Sequence, residues 1–168
     1  MKFLLQAVCV WMSVTSVLAQ DSTVRRLGIH SLYHPYDIFA GIHYERESGR
    51  VQHRFLLSAG LRTAFQRRLY PQFAYQLAFH AVNRKLQAGP FVRANFDLLR
   101  FNKSASHGYL YDEELFLGAY FAAGKIAKIR FSAGIGPSVQ QNWSTVKSRF
   151  VHYFSWNYFG EISWSYAF

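Results

Sequence analysis

The side chains best equipped for covalent chemistry are Ser58 and the histidines His30, His43 and His80. A serine hydroxyl becomes a nucleophile when an imidazole takes its proton and a carboxylate orients that imidazole. No local motif assembles such a set, and the neighbours Ser106 and His107 point apart in extended chain. His30, His34 and His43 are close in sequence, and His107 and His152 come later. The spacings that build zinc sites, with cysteines or with two histidines on one helical face, are missing. No catalytic, cofactor-binding or metal-ligating residue is therefore assigned, and no cofactor is expected. A more regular set is polar: Glu45, Arg54, Arg62, His80, Arg93, Asp97, Glu114, Arg130 and Glu161 each stand beside a large apolar residue. If all nine turn into one confined space, their charges must pair there, because an unpaired buried ion costs several kcal/mol.

The elements that would position them alternate with a period of two, the signature of a half-buried strand. Ile38, Ala40, Ile42 and Tyr44 oppose Asp37, Gly41, His43 and Glu45; Phe55, Leu57, Ala59 and Leu61 oppose Arg54, Ser58, Gly60 and Arg62. Phe73, Tyr75, Leu77, Phe79 and Ala81 oppose Ala74, Gln76, Ala78 and His80. The rhythm recurs over residues 92–98, 115–121 and 129–135, and each run suits a tilted membrane-crossing strand of about 9 to 11 residues. The ends allow two counts. Starting at Tyr36 and splitting the tail near Ser155 gives eight strands; so does a first strand over residues 24–33 with one long last strand over residues 150–168. The second count makes the connections at 47–50, 83–88 and around Gly124-Lys125 short, and those at 102–112 and 137–147 the longest. Its weak point is Ser31, which interrupts the series Leu27, Ile29, Tyr33.

Composition decides which face is outside. The chain has 16 Phe, 11 Tyr and 4 Trp, more rings than the interior of an eight-stranded barrel can hold. Rings turned outward suit hydrocarbon and would make a water-facing surface aggregate. The expected fold is all-β: an eight-stranded antiparallel up-and-down transmembrane β-barrel. On this register the inward set also takes in Arg26, His30, His43, Gln76, Asn95 and Tyr120, padded by Gly, Ala and Ser. The lumen is then a structural polar network with no open pore. A soluble lipocalin-like barrel is the alternative; it would invert the pattern, with rings inside and charges in water.

Both ends of the chain carry export features. Residues 1–19 have Lys2, an apolar run and a close at Val17-Leu18-Ala19, which reads as a Sec signal peptide cleaved near Ala19 and too short to be a membrane anchor. Residues 20–168 form the barrel domain, and Cys9, the sole cysteine, leaves with the leader. At the other end Ile162, Trp164, Tyr166 and Phe168 alternate up to the final residue. This terminal strand resembles the C-terminal insertion signal of bacterial outer-membrane β-barrel proteins, and the mature chain is similar in rhythm to the small OmpX- and OmpA-like barrels. Gln20 after the cleavage site resembles Bacteroidetes exports. The resemblance implies that Ile162, Trp164, Tyr166 and Phe168 face lipid and are read by the barrel-insertion machinery of a Gram-negative cell envelope.

The chain has 19 Lys plus Arg against 9 Asp plus Glu. Such an excess of base fits nucleic acid, but export directs it instead to anionic lipid headgroups and lipopolysaccharide. Arg67, Arg68, Lys103, Lys147 and Arg149 belong at the external rim, and Arg46, Arg50, Arg84, Lys85 and Lys125 at the periplasmic one. Tyr33, Tyr36, Tyr44, Tyr70, Trp143 and Trp156 are candidates for the aromatic girdles. Three functions are consistent with this reading. The first is a structural or membrane-organising barrel. The second is an accessory subunit of an envelope complex, docked through a strip of Ala40, Ala59, Ala81, Ala94, Ala119 and Ala133. The third is a lipid A acyl hydrolase or transferase using Ser58 and His80.

Overall fold

The eight alternating runs become eight strands joined in chain order: β1 (Val24–His34), β2 (Asp37–Ser48), β3 (Val51–Gly60), β4 (Tyr70–Phe79), β5 (Leu86–Lys103), β6 (Ser106–Ala123), β7 (Ala127–Ser144) and β8 (Arg149–Ala167). The structure, a computed structural model, describes residues 23–35, 37–61, 70–80, 86–103, 106–144 and 149–168. Each strand pairs antiparallel with the next, and β1 pairs with β8, so the sheet is a closed up-and-down barrel. Ser31 holds its outward place between Ile29 and Tyr33, paired with Ala40 and Ile162, because the ladder on both sides fixes its parity.

The register also sets the dimensions. Partners can be followed around the barrel from Ile29 through Ile42, Leu57, Phe73, Phe96, Glu113 and Val139 to Phe154. Ile29 itself pairs with Trp164, so the circuit closes ten residues further along β8 (164 − 154). With a rise of about 3.3 Å per residue and strands about 4.8 Å apart, a shear of ten over eight strands tilts the strands by about 40° and gives a backbone radius of about 8 Å. That radius is about the width that inward side chains fill.

Two connections at the end that carries β1's start and β8's finish depend on glycine. Gly49, in the two-residue β2–β3 turn, has φ 57°, and Gly124, between β6 and β7, has φ 113°. A Cβ at Gly49 would meet nothing, whereas one at Gly124 would lie 1.9 Å from the Ala127 carbonyl oxygen.

At the opposite end the strands are unequal. β1 to β4 are 10 to 12 residues long, and β5 to β8 are 18 or 19. β5 pairs with β6 as far as Lys103 and Ser106, and β7 with β8 as far as Ser144 and Arg149. The pairing of β4 with β5 stops at Gln72 and Asp97, and that of β1 with β8 at Tyr33 and Gly160. A four-stranded sheet thus stands above the rim by a height on the order of 15 Å. This corrects the expectation that the longest connections run over 102–112 and 137–147: every described residue of both stretches is strand, and 104–105 and 145–147 lie outside the described residues. Polar runs such as Gln140-Gln141-Asn142 hide this from alternation, because beyond the apolar belt a hairpin can keep its ladder with both faces polar.

Gly49→Ala should cost about 1 kcal/mol, the penalty of an L-residue in the left-handed region. Gly124→Ala should cost more, about 2 to 3 kcal/mol, since its φ is one that glycine alone adopts readily and the Ala127 carbonyl is in the way. Urea unfolding of the refolded barrel would show the ordering.

Candidate functional site

The lumen collects the chemistry-bearing residues in three tiers. Nearest the chain termini, Arg26 donates to Glu45 at 3.1 Å and Glu47 at 2.7 Å, and its other guanidinium nitrogen donates to the Lys125 carbonyl at 3.1 Å. Lys128 donates to Glu45, Glu47 and Gln87 at 2.8, 2.9 and 2.8 Å, so two cations and two carboxylates close into one ring of bonds.

The middle tier is centred on Glu161 of β8. One carboxylate oxygen accepts from Arg54 of β3 at 2.8 Å and the other from Arg93 of β5, so a single carboxylate ties three strands across the lumen. Arg54 also donates to Gln76 and Ser163, at 3.2 and 3.1 Å, and Arg93 to Asn95 at 2.6 Å. Arg130 donates to Gln52 and lies 3.8 Å from the centre of the Tyr120 ring, where its positive charge faces the negative ring surface. Arg54, Arg93 and Arg130 are completely or almost completely buried.

The third tier lies toward the projecting sheet. Glu114 accepts from Asn95 and Asn157 at 3.0 and 2.7 Å and sits 2.9 Å from His34. Asp112 accepts from Ser138 and Gln140, and Asp97 from Gln72 at 3.2 Å. Of the nine residues expected to form the lumen network, eight face inward; Arg62 lies outside the described residues.

The inward face also carries residues absent from that expectation. Leu32, Phe39, Phe91, Phe116 and Phe159 form an apolar layer within the lumen, with Phe116 and Phe159 edge to face at 4.9 Å. Glycine makes the room. Phe91 pairs with Gly118 and Phe159 with Gly134, and a Cβ on either glycine would stand within 3 Å of the partner's ring. The Arg93 guanidinium lies over the Phe159 ring, 4.6 Å from its centre. The expected padding by Gly, Ala and Ser is therefore half of the arrangement, the seats on which rings rest. Parity could have found these rings, since Phe39 alternates with Asp37 and Gly41, and Phe159 with Glu161. Lys128, Glu47 and His34 were equally legible by parity.

The residues considered for catalysis do not meet. The Ser58 hydroxyl donates to Gln72 at 3.0 Å, and His80 lies 3.5 Å from Glu47 in another tier. His30 and His43 are neighbours, ring centres 5.7 Å apart, while His34 belongs to Glu114. Among the described residues no group of three or more His, Cys, Asp or Glu is placed to hold a metal ion. The side chains of Ser106 and His107 lie outside the described residues.

The outer face is apolar where the inner is polar, the reverse of a lipocalin-like arrangement. Ile162, Trp164, Tyr166 and Phe168 all face outward, and β8 continues the series through Tyr158, Trp156 and Phe154. Tyr33 and Tyr44 also lie on this face; the side chains of Tyr36, Tyr70 and Trp143 are outside the described residues, as are those of Arg67, Arg68, Arg84, Lys85, Lys103, Lys147 and Arg149. The alanine strip is discontinuous. Ala40 and Ala59 are partners beside Pro71 and line a shallow groove of about 440 Å³, Ala119 and Ala133 are partners elsewhere, Ala94 pairs with Tyr75, and Ala81 is not described.

No family model and no curated protein matches the sequence. Among solved structures the chain is similar to the crystal structure of the N-terminal β-barrel domain of Pseudomonas aeruginosa OprF, with a TM-score of 0.63 and 9% identity over 87% of this chain and 97% of that one. The two share a fold, the small closed eight-stranded barrel.

Glu161→Gln should destabilise the folded barrel by about 3 to 5 kcal/mol, because Arg54 and Arg93 keep their buried charges and lose their shared partner. Replacing the whole triad, Arg54→Met, Arg93→Met and Glu161→Leu, should cost less than the single change. Equilibrium urea unfolding in lipid vesicles reads both.

Proposed function

We propose that the chain is a structural outer-membrane β-barrel, exported through a Sec leader at residues 1–19 and spanning the bilayer as a plugged cylinder. The observation that carries this reading is the inversion of the two faces: fully buried arginines and carboxylates inside, and a belt of exposed aliphatic and aromatic side chains outside. In water such a belt would drive aggregation; in a bilayer it meets hydrocarbon, and the closed ladder supplies the hydrogen bonds that lipid cannot. The fold shared with the OprF domain supports the same reading. Residues 1–19 lie outside the described residues, so the leader rests on its sequence pattern.

The work assigned is mechanical and organisational, with no catalysis. In this reading the lumen is filled by buried polar side chains and a layer of rings, which leave neither substrate nor ion a path along the axis. Ile162, Trp164, Tyr166 and Phe168 are the residues through which the insertion machinery would recognise the last strand, and lipopolysaccharide would surround the projecting end. A second reading, an accessory subunit of an envelope complex, is favoured by the groove at Ala40, Ala59 and Pro71, where small residues would let another protein approach the barrel wall.

Refolded into phospholipid vesicles, the protein should float with them and migrate differently on gels before and after boiling, and it should add no steady conductance to a planar bilayer. In cells, deleting Phe168 should lower the heat-modifiable fraction several-fold and leave unfolded chain in the periplasm. Recovery of soluble, detergent-free protein from the periplasm would end the membrane reading, and a stable conductance would end the plugged one.

A further inference from the structure

The excess of positive charge is distributed unevenly between the two faces. Of nine Asp and Glu residues, seven turn inward, Asp21 is not described, and Glu113 is the one described acidic side chain on the outer face, toward the projecting sheet. The outer face near the chain termini holds cations that no described Asp or Glu side chain pairs with; the nearest anion is the terminal carboxylate of Phe168, whose N–H bonds to the Arg25 carbonyl at 3.2 Å. Arg25 of β1 and Arg46 of β2 are both exposed and directly opposite one another on the ladder, and His53 of β3 is opposite Arg46. Neither arginine has an ion-pair partner among the described residues. Like charges directly opposite each other weaken a strand pair, so this row has an unmet need for an anion.

The adjacent row is aromatic. Tyr44, Phe55 and Tyr75 are consecutive register partners on β2, β3 and β4, with ring centres 6.4 and 5.1 Å apart, and the Tyr75 hydroxyl lies 2.7 Å from His53 Nδ1. From the end inward, the surface therefore reads cations, then rings with a polar edge, then aliphatic belt. A phospholipid has that order of parts: phosphate, glycerol ester, acyl chain.

We propose that Arg25 and Arg46, with His53 beside them, form a binding site for the headgroup phosphate of an anionic phospholipid in the leaflet around the chain termini, with its acyl chains against Tyr44, Phe55 and Tyr75. Two guanidinium forks suit a phosphate, whose oxygens accept paired hydrogen bonds. The site rests on the reading of the chain as a membrane barrel and adds to it a chemical preference on one leaflet.

The test inserts the full barrel into vesicles of phosphatidylcholine with a minor share of phosphatidylglycerol and identifies the first retained lipid by native mass spectrometry. Wild type should retain phosphatidylglycerol preferentially, and the ratio should fall about five-fold for each arginine lost in Arg25→Gln and Arg25→Gln/Arg46→Gln. Arg50→Gln/Lys125→Gln, which removes the same charge from the turns, should leave the ratio unchanged. Arg25→Lys/Arg46→Lys, which keeps the charge and loses the fork, should fall between. An inserted wild-type barrel with no preference, or one that the turn variant abolishes equally, overturns the proposal and leaves the row to an acidic segment of a partner protein. Failure of wild type to enter the bilayer would instead contradict the membrane reading itself.

Discussion

Closure of the ladder between β1 and β8 is the constraint from which the rest follows. It removes every free strand edge along the paired region, and with a ten-residue stagger over eight strands it fixes a backbone radius of about 8 Å. A cylinder of that radius is about as wide as its inward side chains can fill. Its interior must be filled, and because alternate residues of every strand point there, the filling is decided by one parity of the sequence. The other parity makes the wall.

The filling inside mixes charged side chains with an apolar layer. Charges are set in tiers so that each buried carboxylate meets at least one donor, and Glu161 bridges two arginines from strands on the far side. Between the charges lies a layer of rings seated on glycines of neighbouring strands. Buried ion pairs are poor sources of net stability, since desolvation offsets most of the attraction. What they supply is a penalty for misregister: shifting one strand by a single residue would send its charges into the apolar belt and its aliphatic residues into the polar tiers. Lumen and wall thereby specify the same register twice.

Much of this was legible because the period of two is strict. Eight strands, their order, the long last strand and the inward placement of Glu45, Arg54, His80, Arg93, Asp97, Glu114, Arg130 and Glu161 all follow from parity. The apolar layer is hidden from a reading by residue type, which sends every large ring to the outer wall; the inward parity of Phe39, Phe91, Phe116 and Phe159 shows only through the polar residues two positions away. The length of β5 to β8 was hidden for a different reason. Above the belt no solvent difference separates the two faces, so hydrogen bonding continues where side-chain alternation has lapsed. Which acid meets which base could not be read at all, since Arg54 and Glu161 are 107 residues apart and meet only across a closed circle.

The central claim is that the outer parity faces hydrocarbon and the inner parity faces packed protein. Nitroxide labels placed singly on β8 of the vesicle-inserted barrel, at Ile162 and Trp164 and at Ser163 and Ser165, test it directly through collision with oxygen, which concentrates in lipid, and with a water-soluble nickel chelate. The account predicts mobile labels with high oxygen and low nickel accessibility at the first two, and immobile labels shielded from both reagents at the second two. High nickel accessibility at Ile162 and Trp164, or the same profile for both parities, would contradict it.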